Sequence, residues 1–170
     1  MKKTLIISVL LLTASLSALI SIGQPQFELP QNIELKTKED YVKFETTVID
    51  AAKWLEQTDL DKEGDKRKQI NAFVIQWITG TPTLTVNINE QLAKLYGKNV
   101  QLLAIYLASY ARNVIELKEA SSKLTATKAG LVSMMNVYKK GIEISKNKEL
   151  DKIIKMTDSE LDSYIVDKFK

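Results

Sequence analysis

The chain has no cysteine and no histidine among its 170 residues. The first absence removes disulfides, thiolate metal sites and cysteine nucleophiles together. The second removes the side chain most often used as a general base near neutral pH and the commonest imidazole metal ligand. Histidine-dependent triads are therefore excluded. Arginine is scarce as well. Arg67 and Arg112 stand against 22 lysines, so the composition does not favour a bidentate clamp for phosphate or carboxylate. With only three prolines, Pro25, Pro30 and Pro82, long stretches are open to helix.

What remains is the balance of one ordinary globular domain, 45% hydrophobic and 26% charged. A chain of this length buries roughly 70% of its unfolded surface, so it needs no covalent staples. The formal charge is +3, and setting aside Lys2 and Lys3 at the N-terminus leaves +1. A nucleic-acid binder would carry a larger basic surplus.

The opening "MKKTLIISVLLLTASLSALISIGQPQ" joins two lysines to an apolar run that ends in small residues. That is the layout of a secretory signal peptide over residues 1–23. Ser21 and Gly23 suit a peptidase cutting between Gly23 and Gln24, and Ser15 with Ser17 offers an earlier cut. The missing cysteine argues against a lipid-modified lipoprotein. An uncleaved anchor is the competing reading, since Leu5 to Ile22 approaches the roughly 18 residues a span requires. Either way the expected location is outside the cytoplasm, periplasmic or secreted after cleavage. The membrane is involved only through an uncleaved leader.

Residues 24–36 carry two prolines and no helical period, and read as an extended N-terminal arm. From residue 37 to 170 the pattern is that of a single α-helical domain. Thr37 and Asp40 form a capping signal for a helix to about Gln57, with Tyr41, Phe44, Val48, Ala52 and Leu55 on one stripe. A second helix spans about Asp65 to Thr79, with Ile70, Phe73, Val74, Trp77 and Ile78 on one face. Gly80 is expected to end it in the left-handed conformation, and Pro82 cannot continue it. "TLTVNI" then alternates, leaving room for one short extended segment at residues 83–88.

A short helix follows from Asn89 to Tyr96, stopped by Gly97. Asn99 to about Lys118 is apolar all round and belongs in the middle of a bundle. Ser121 or Ser122 caps the next helix, which stops at Gly141. Its Ala126, Ala129, Gly130 and Ser133 can lie close to Ala104, Ala108 and Ala111 of the central helix. Two short helices, about Lys148 to Met156 and Ser159 to Phe169, finish the chain. The expected fold is all-α, a compact bundle of about five to seven helices. No internal repeat of 20 to 50 residues supports a solenoid.

Four constellations carry chemical meaning. "DLDKEGDKRKQI", Asp59 to Ile70, places acids at the first, third, fifth and seventh positions and Gly64 at the sixth, as in a calcium loop. Ile70 stands where the bidentate glutamate is required, so the alternative is a solvated turn before a helix. "WITGTPT" could rim a ligand pocket through Trp77, Thr81 and Pro82, or be only a helix stop. Tyr106 and Tyr110 stand one turn apart with Arg112 nearby, either as core residues or as an aromatic binding patch. Glu116 and Glu119 offer a carboxylate pair of the kind that hydrolyses glycosides, or plain surface charge.

The order of leader, Trp54-bearing helix, acidic-basic turn and "INAFVIQWITGTPTLTVNI" resembles a group of uncharacterised exported bacterial α-helical proteins. The resemblance covers most of the chain beyond the leader and lies chiefly in Trp54 to Val86. It implies fold and export, and no catalytic residues. The leading expectation is a non-enzymatic interaction module of the cell envelope. It would present Trp77, Thr81, Pro82, Tyr106 and Tyr110 to a protein or small ligand, with no cofactor, metal or nucleic acid. The alternatives are a carboxylate-dependent hydrolase of envelope polysaccharide and a membrane-anchored envelope helper.

Overall fold

Side-chain caps mark the start of five of the eight helices among the described residues, at Thr37, Asn89, Ser122, Asn147 and Thr157. In the computed structural model, which describes residues 26–170, the Thr37 hydroxyl accepts the Asp40 N–H at 3.3 Å. The Asp40 carboxylate in turn accepts the Thr37 N–H at 2.9 Å. This reciprocal box starts α1 (Lys38–Lys43). The chain continues through α2 (Glu45–Gln57), α3 (Gly64–Gly80), α4 (Glu90–Tyr96), α5 (Gln101–Leu117), α6 (Lys123–Lys140), α7 (Lys148–Ile153) and α8 (Asp158–Lys168). A single 3-10 turn, Lys118–Ala120, separates α5 from α6. Ser122 with Thr125 and Thr157 with Glu160 repeat the box at α6 and α8. The described residues are all-α, with no strand. The leader and its Gly23–Gln24 junction lie outside them.

There are eight helices among the described residues where the sequence suggests five to seven. The expected single helix from Thr37 to Gln57 is two. Phe44 leaves helical geometry at φ −95°, ψ 5°, which turns its ring into the core, edge-on to Phe73 at 6.3 Å. Gly80 is also not a left-handed cap. It is the last residue of α3, and Thr81 behind it is extended. The glycine is needed there for space, since a Cβ would lie 1.9 Å from the Tyr41 hydroxyl oxygen.

The core forms around α5, whose residues Ala104 to Ala111 are buried on every side. It packs chiefly on α6 and α2, then α3. Gly130 permits the closest approach. A Cβ there would stand 2.6 Å from the Tyr106 ring and 2.9 Å from the Tyr106 carbonyl oxygen. The arm is anchored rather than free, with Phe27, Leu29, Ile33 and Leu35 packed on the core and Glu28 paired to Lys66 at 2.6 Å.

The free carbonyls ending α2 are met by cations from two other helices. Lys140 donates to the Glu56 and Gln57 carbonyls, each at 3.3 Å, and to the Asp59 carboxylate at 2.8 Å. Arg67, buried against Trp54, donates to the Thr58 and Asp59 carbonyls at 2.7 and 3.0 Å. Positive charge at a helix C-terminus is favourable, and here it also satisfies orphaned acceptors.

Candidate functional site

Residues 83–89 make no strand, yet their side chains alternate as extended chain requires. Asn87 and Asn89 face one cleft, Val86 and Ile88 face another, and Leu84 and Thr85 line both. The segment is thus a wall between two surfaces. It is tied down by the Tyr110 hydroxyl donating to the Thr85 carbonyl at 3.3 Å and by the Asn89 amide donating to the Lys168 carbonyl at 2.9 Å. The Thr83 hydroxyl adds a bond to Glu45 at 2.9 Å.

The first cleft has a volume of about 370 Å³. Its apolar wall comes from Leu84, Tyr106, Tyr110, Val114 and Phe169, drawn from the wall segment, α5 and the end of α8. Its rim is polar, with Thr85, Asn87, Asn89, Ser121 and Ser122, and carries two cations, Lys118 and Lys123, while the buried Thr127 lies at its floor. No carboxylate lines it. Among the described residues neither lysine joins the ion pairs that engage Lys53, Arg112 and Lys128 nearby. The Tyr106 and Tyr110 rings sit 6.1 Å apart with planes tilted by 40°.

Burial pushes the Tyr106 phenol up to about 12, with a hydrogen bond to Thr127 acting the other way. The folded state therefore keeps this proton through a range in which the unfolded chain, near pH 10, has lost it. Stability from this group is complete below about pH 10 and falls as pH rises towards 12, by about 3 kcal/mol in all. Denaturation midpoints measured across that range should drop steeply, and Tyr106→Phe should flatten the drop. An unchanged slope in the variant would assign the loss elsewhere.

A second cleft, about 420 Å³, adjoins the first and shares Val114, Lys118 and Ser121 with it. Glu45 and Glu119 line it, with Thr83 and Ile115. A third, about 360 Å³, is the apolar one on the other side of the wall segment, with Ile75, Ile78, Leu84, Val86, Ile88 and Leu107. Ile75 and Ile88 are about half exposed there.

The residues singled out in the sequence divide three ways. Tyr106 and Tyr110 both line the first cleft while being 1% and 7% exposed, so they are core residues that also form a wall. Thr81 lines the apolar cleft, and Pro82 is exposed beside it. Trp77 is not at a surface. It is fully buried, and its indole N–H donates to the Tyr41 carbonyl at 2.9 Å, so the apolar stripe of α3 takes it inward.

No protein-family model matches the chain, and neither does any curated protein or solved structure.

Three of the four acids of the Asp59 to Ile70 loop diverge onto separate lysines, and Glu63 joins no ion pair among the described residues. Asp59 meets Lys140, Asp61 meets Lys62 at 2.8 Å, and Asp65 meets Lys68 at 3.0 Å. Ile70 is buried in the core, and α3 begins at Gly64. Among the described residues no three acidic side chains are placed to hold a cation. Glu116 and Glu119 do not share a cleft. Glu116 lies 4.0 Å from Lys53 and 3.9 Å from Arg112, whereas Glu119 faces the second cleft.

Sequence reasoning missed Asn87, Asn89, Lys118, Lys123 and Phe169. The alternation of "TLTVNIN" carried a signal for the two asparagines. The lysines carried none, because nothing local separates them from the other lysines of the chain.

Proposed function

We propose that this is an exported, non-enzymatic binding protein of the bacterial envelope, and that its ligand is a small organic anion with an apolar body. One observation carries the reading. The first cleft joins an aromatic wall to a polar rim with two cations and no carboxylate among its lining residues. A few placed polar groups on a largely apolar surface are the usual composition of a small-molecule site. The ligand's body packs on Tyr106, Tyr110 and Phe169, and its charge is met by Lys118 and Lys123.

The cleft lining also supports binding over turnover. Its phenol at Tyr106 is held protonated, Ser122 caps α6, and Ser121 donates to Asn113 at 2.9 Å. No group there is poised as a base. The polysaccharide hydrolase is less well supported, since Glu116 is matched with cations away from the clefts. Export rests on the leader pattern. No helix among the described residues is long and apolar enough to cross a membrane.

Calorimetric titration of the purified protein with 3-phenylpropionate and phenyl phosphate tests the ligand class. Saturable binding weakened by Lys123→Met is the expected result, with affinity falling as salt rises. Binding unaffected by both the substitution and the salt would remove the anion reading.

A further inference from the structure

The backbone of Lys118 stands at φ 48°, ψ −122°, a conformation that side chains rarely adopt. The end of α4 takes almost the same conformation, φ 51° and ψ −117°, and the residue there is Gly97. Two helices thus end in one geometry, with glycine at one and lysine at the other. Lys118 forms no ion pair among the described residues and fills no core position, so neither pairing nor packing accounts for the lysine. Its place does. Lys118 is on the seam shared by the first and second clefts.

Charge is segregated across that seam. Lys123 stands on one side with no acid and Glu45 and Glu119 stand on the other, with Lys118 between them lining both clefts. Among the described residues neither glutamate has a cation within ion-pair distance, and Glu45 accepts only the Thr83 hydroxyl. The geometry points to a single site formed by both clefts, whose ligand is a small zwitterion. Its anionic end lies between Lys118 and Lys123, its ammonium end faces the two glutamates, and its apolar body rests on the tyrosines. This deepens the anion reading above and rests on it.

An isolated anion or amine engages only half of this arrangement. Exposed ion contacts are individually weak, so a ligand with one charge gains about two- to fivefold from its half, and a zwitterion multiplies the two.

The test compares L-phenylalanine with its two singly charged analogues, 3-phenylpropionate and phenethylamine, by calorimetry on the purified protein. L-phenylalanine is expected to bind about two- to fivefold tighter than either. Glu119→Gln and Glu45→Gln should each lower the ratio of L-phenylalanine to 3-phenylpropionate affinity. Lys118→Gly should weaken both ligands without lowering Tm, and by relieving the backbone it should raise Tm by up to about 4 °C. Equal affinity for L-phenylalanine and 3-phenylpropionate would overturn the zwitterion while leaving the anion reading in place. If none of the three bound, nor phenyl phosphate, both readings would fall. Undiminished binding in Lys118→Gly would overturn the role given to that lysine.

Discussion

Trp77→Ala is expected to cost about 3–5 kcal/mol of folding free energy. The indole is fully buried on α3, and its N–H meets the Tyr41 carbonyl at 2.9 Å. Alanine removes the packed ring, leaves a cavity in the core and takes from that carbonyl one of its two partners, the Phe44 N–H remaining at 3.2 Å. For a domain whose total stability is about 5–15 kcal/mol, such a loss brings the chain close to unfolding. Urea denaturation followed by far-ultraviolet circular dichroism measures it. Trp77→Phe separates the parts, since it keeps most of the ring and loses the hydrogen bond, and should cost about 1–2 kcal/mol. If both variants lost less than about 1 kcal/mol, the indole would be neither a packing centre nor an anchor for α1.

This buried tryptophan shows what one sequence can and cannot reveal. The capped helix starts were legible because capping is a short-range matter. Thr37 with Asp40, Ser122 and Thr157 with Glu160 meet their partners within three residues, and the structure has all three boxes. Helix stops at Gly97 and Gly141 were legible for the same reason, and both have positive φ. Gly80 looked identical in sequence, yet the pressure on it comes from Tyr41, 39 residues earlier, which no local pattern encodes. The break at Phe44 is likewise set by Phe73 across the core.

The candidate site followed the same division. Tyr106 and Tyr110 share a helix face, so their pairing could be read from their spacing of four. Lys118, Lys123, Asn87 and Phe169 reach the cleft from four separate parts of the chain and meet only in the folded bundle. The strain that distinguishes Lys118 is a backbone angle, invisible in the sequence. Trp77 was misplaced as a surface residue because a glycine-proline turn follows it, although its apolar stripe already indicated burial.

Glu56 was passed over altogether, and its removal is the second large effect. From α2 its carboxylate accepts the hydroxyls of Ser109 on α5 and Ser133 on α6, and pairs with Arg112 at 3.0 Å. Three helices therefore converge on one carboxylate at the edge of the core. Glu56→Ala leaves two buried hydroxyls and a largely buried guanidinium without their acceptor. The cost of breaking such a pair is up to about 3–5 kcal/mol, and the 22% exposure of both partners brings the expectation down to about 2–4 kcal/mol. Glu116, 3.9 Å from Arg112, offers the guanidinium a partial substitute.

Glu56→Gln should cost less, because an amide oxygen still accepts both hydroxyls while its NH2 turns an attraction to Arg112 into a mismatch. A double-mutant cycle with Arg112→Met isolates that pair, and the coupling should be at least about 1 kcal/mol. If Glu56→Ala and Glu56→Gln were equally destabilising, the charge pair would dominate and the serines would be bystanders. If Glu56→Ala alone were severe, the hydroxyl bonds would be what joins α5 and α6 to α2. The expected order, alanine worse than glutamine and glutamine worse than glutamate, follows from both contributions acting together.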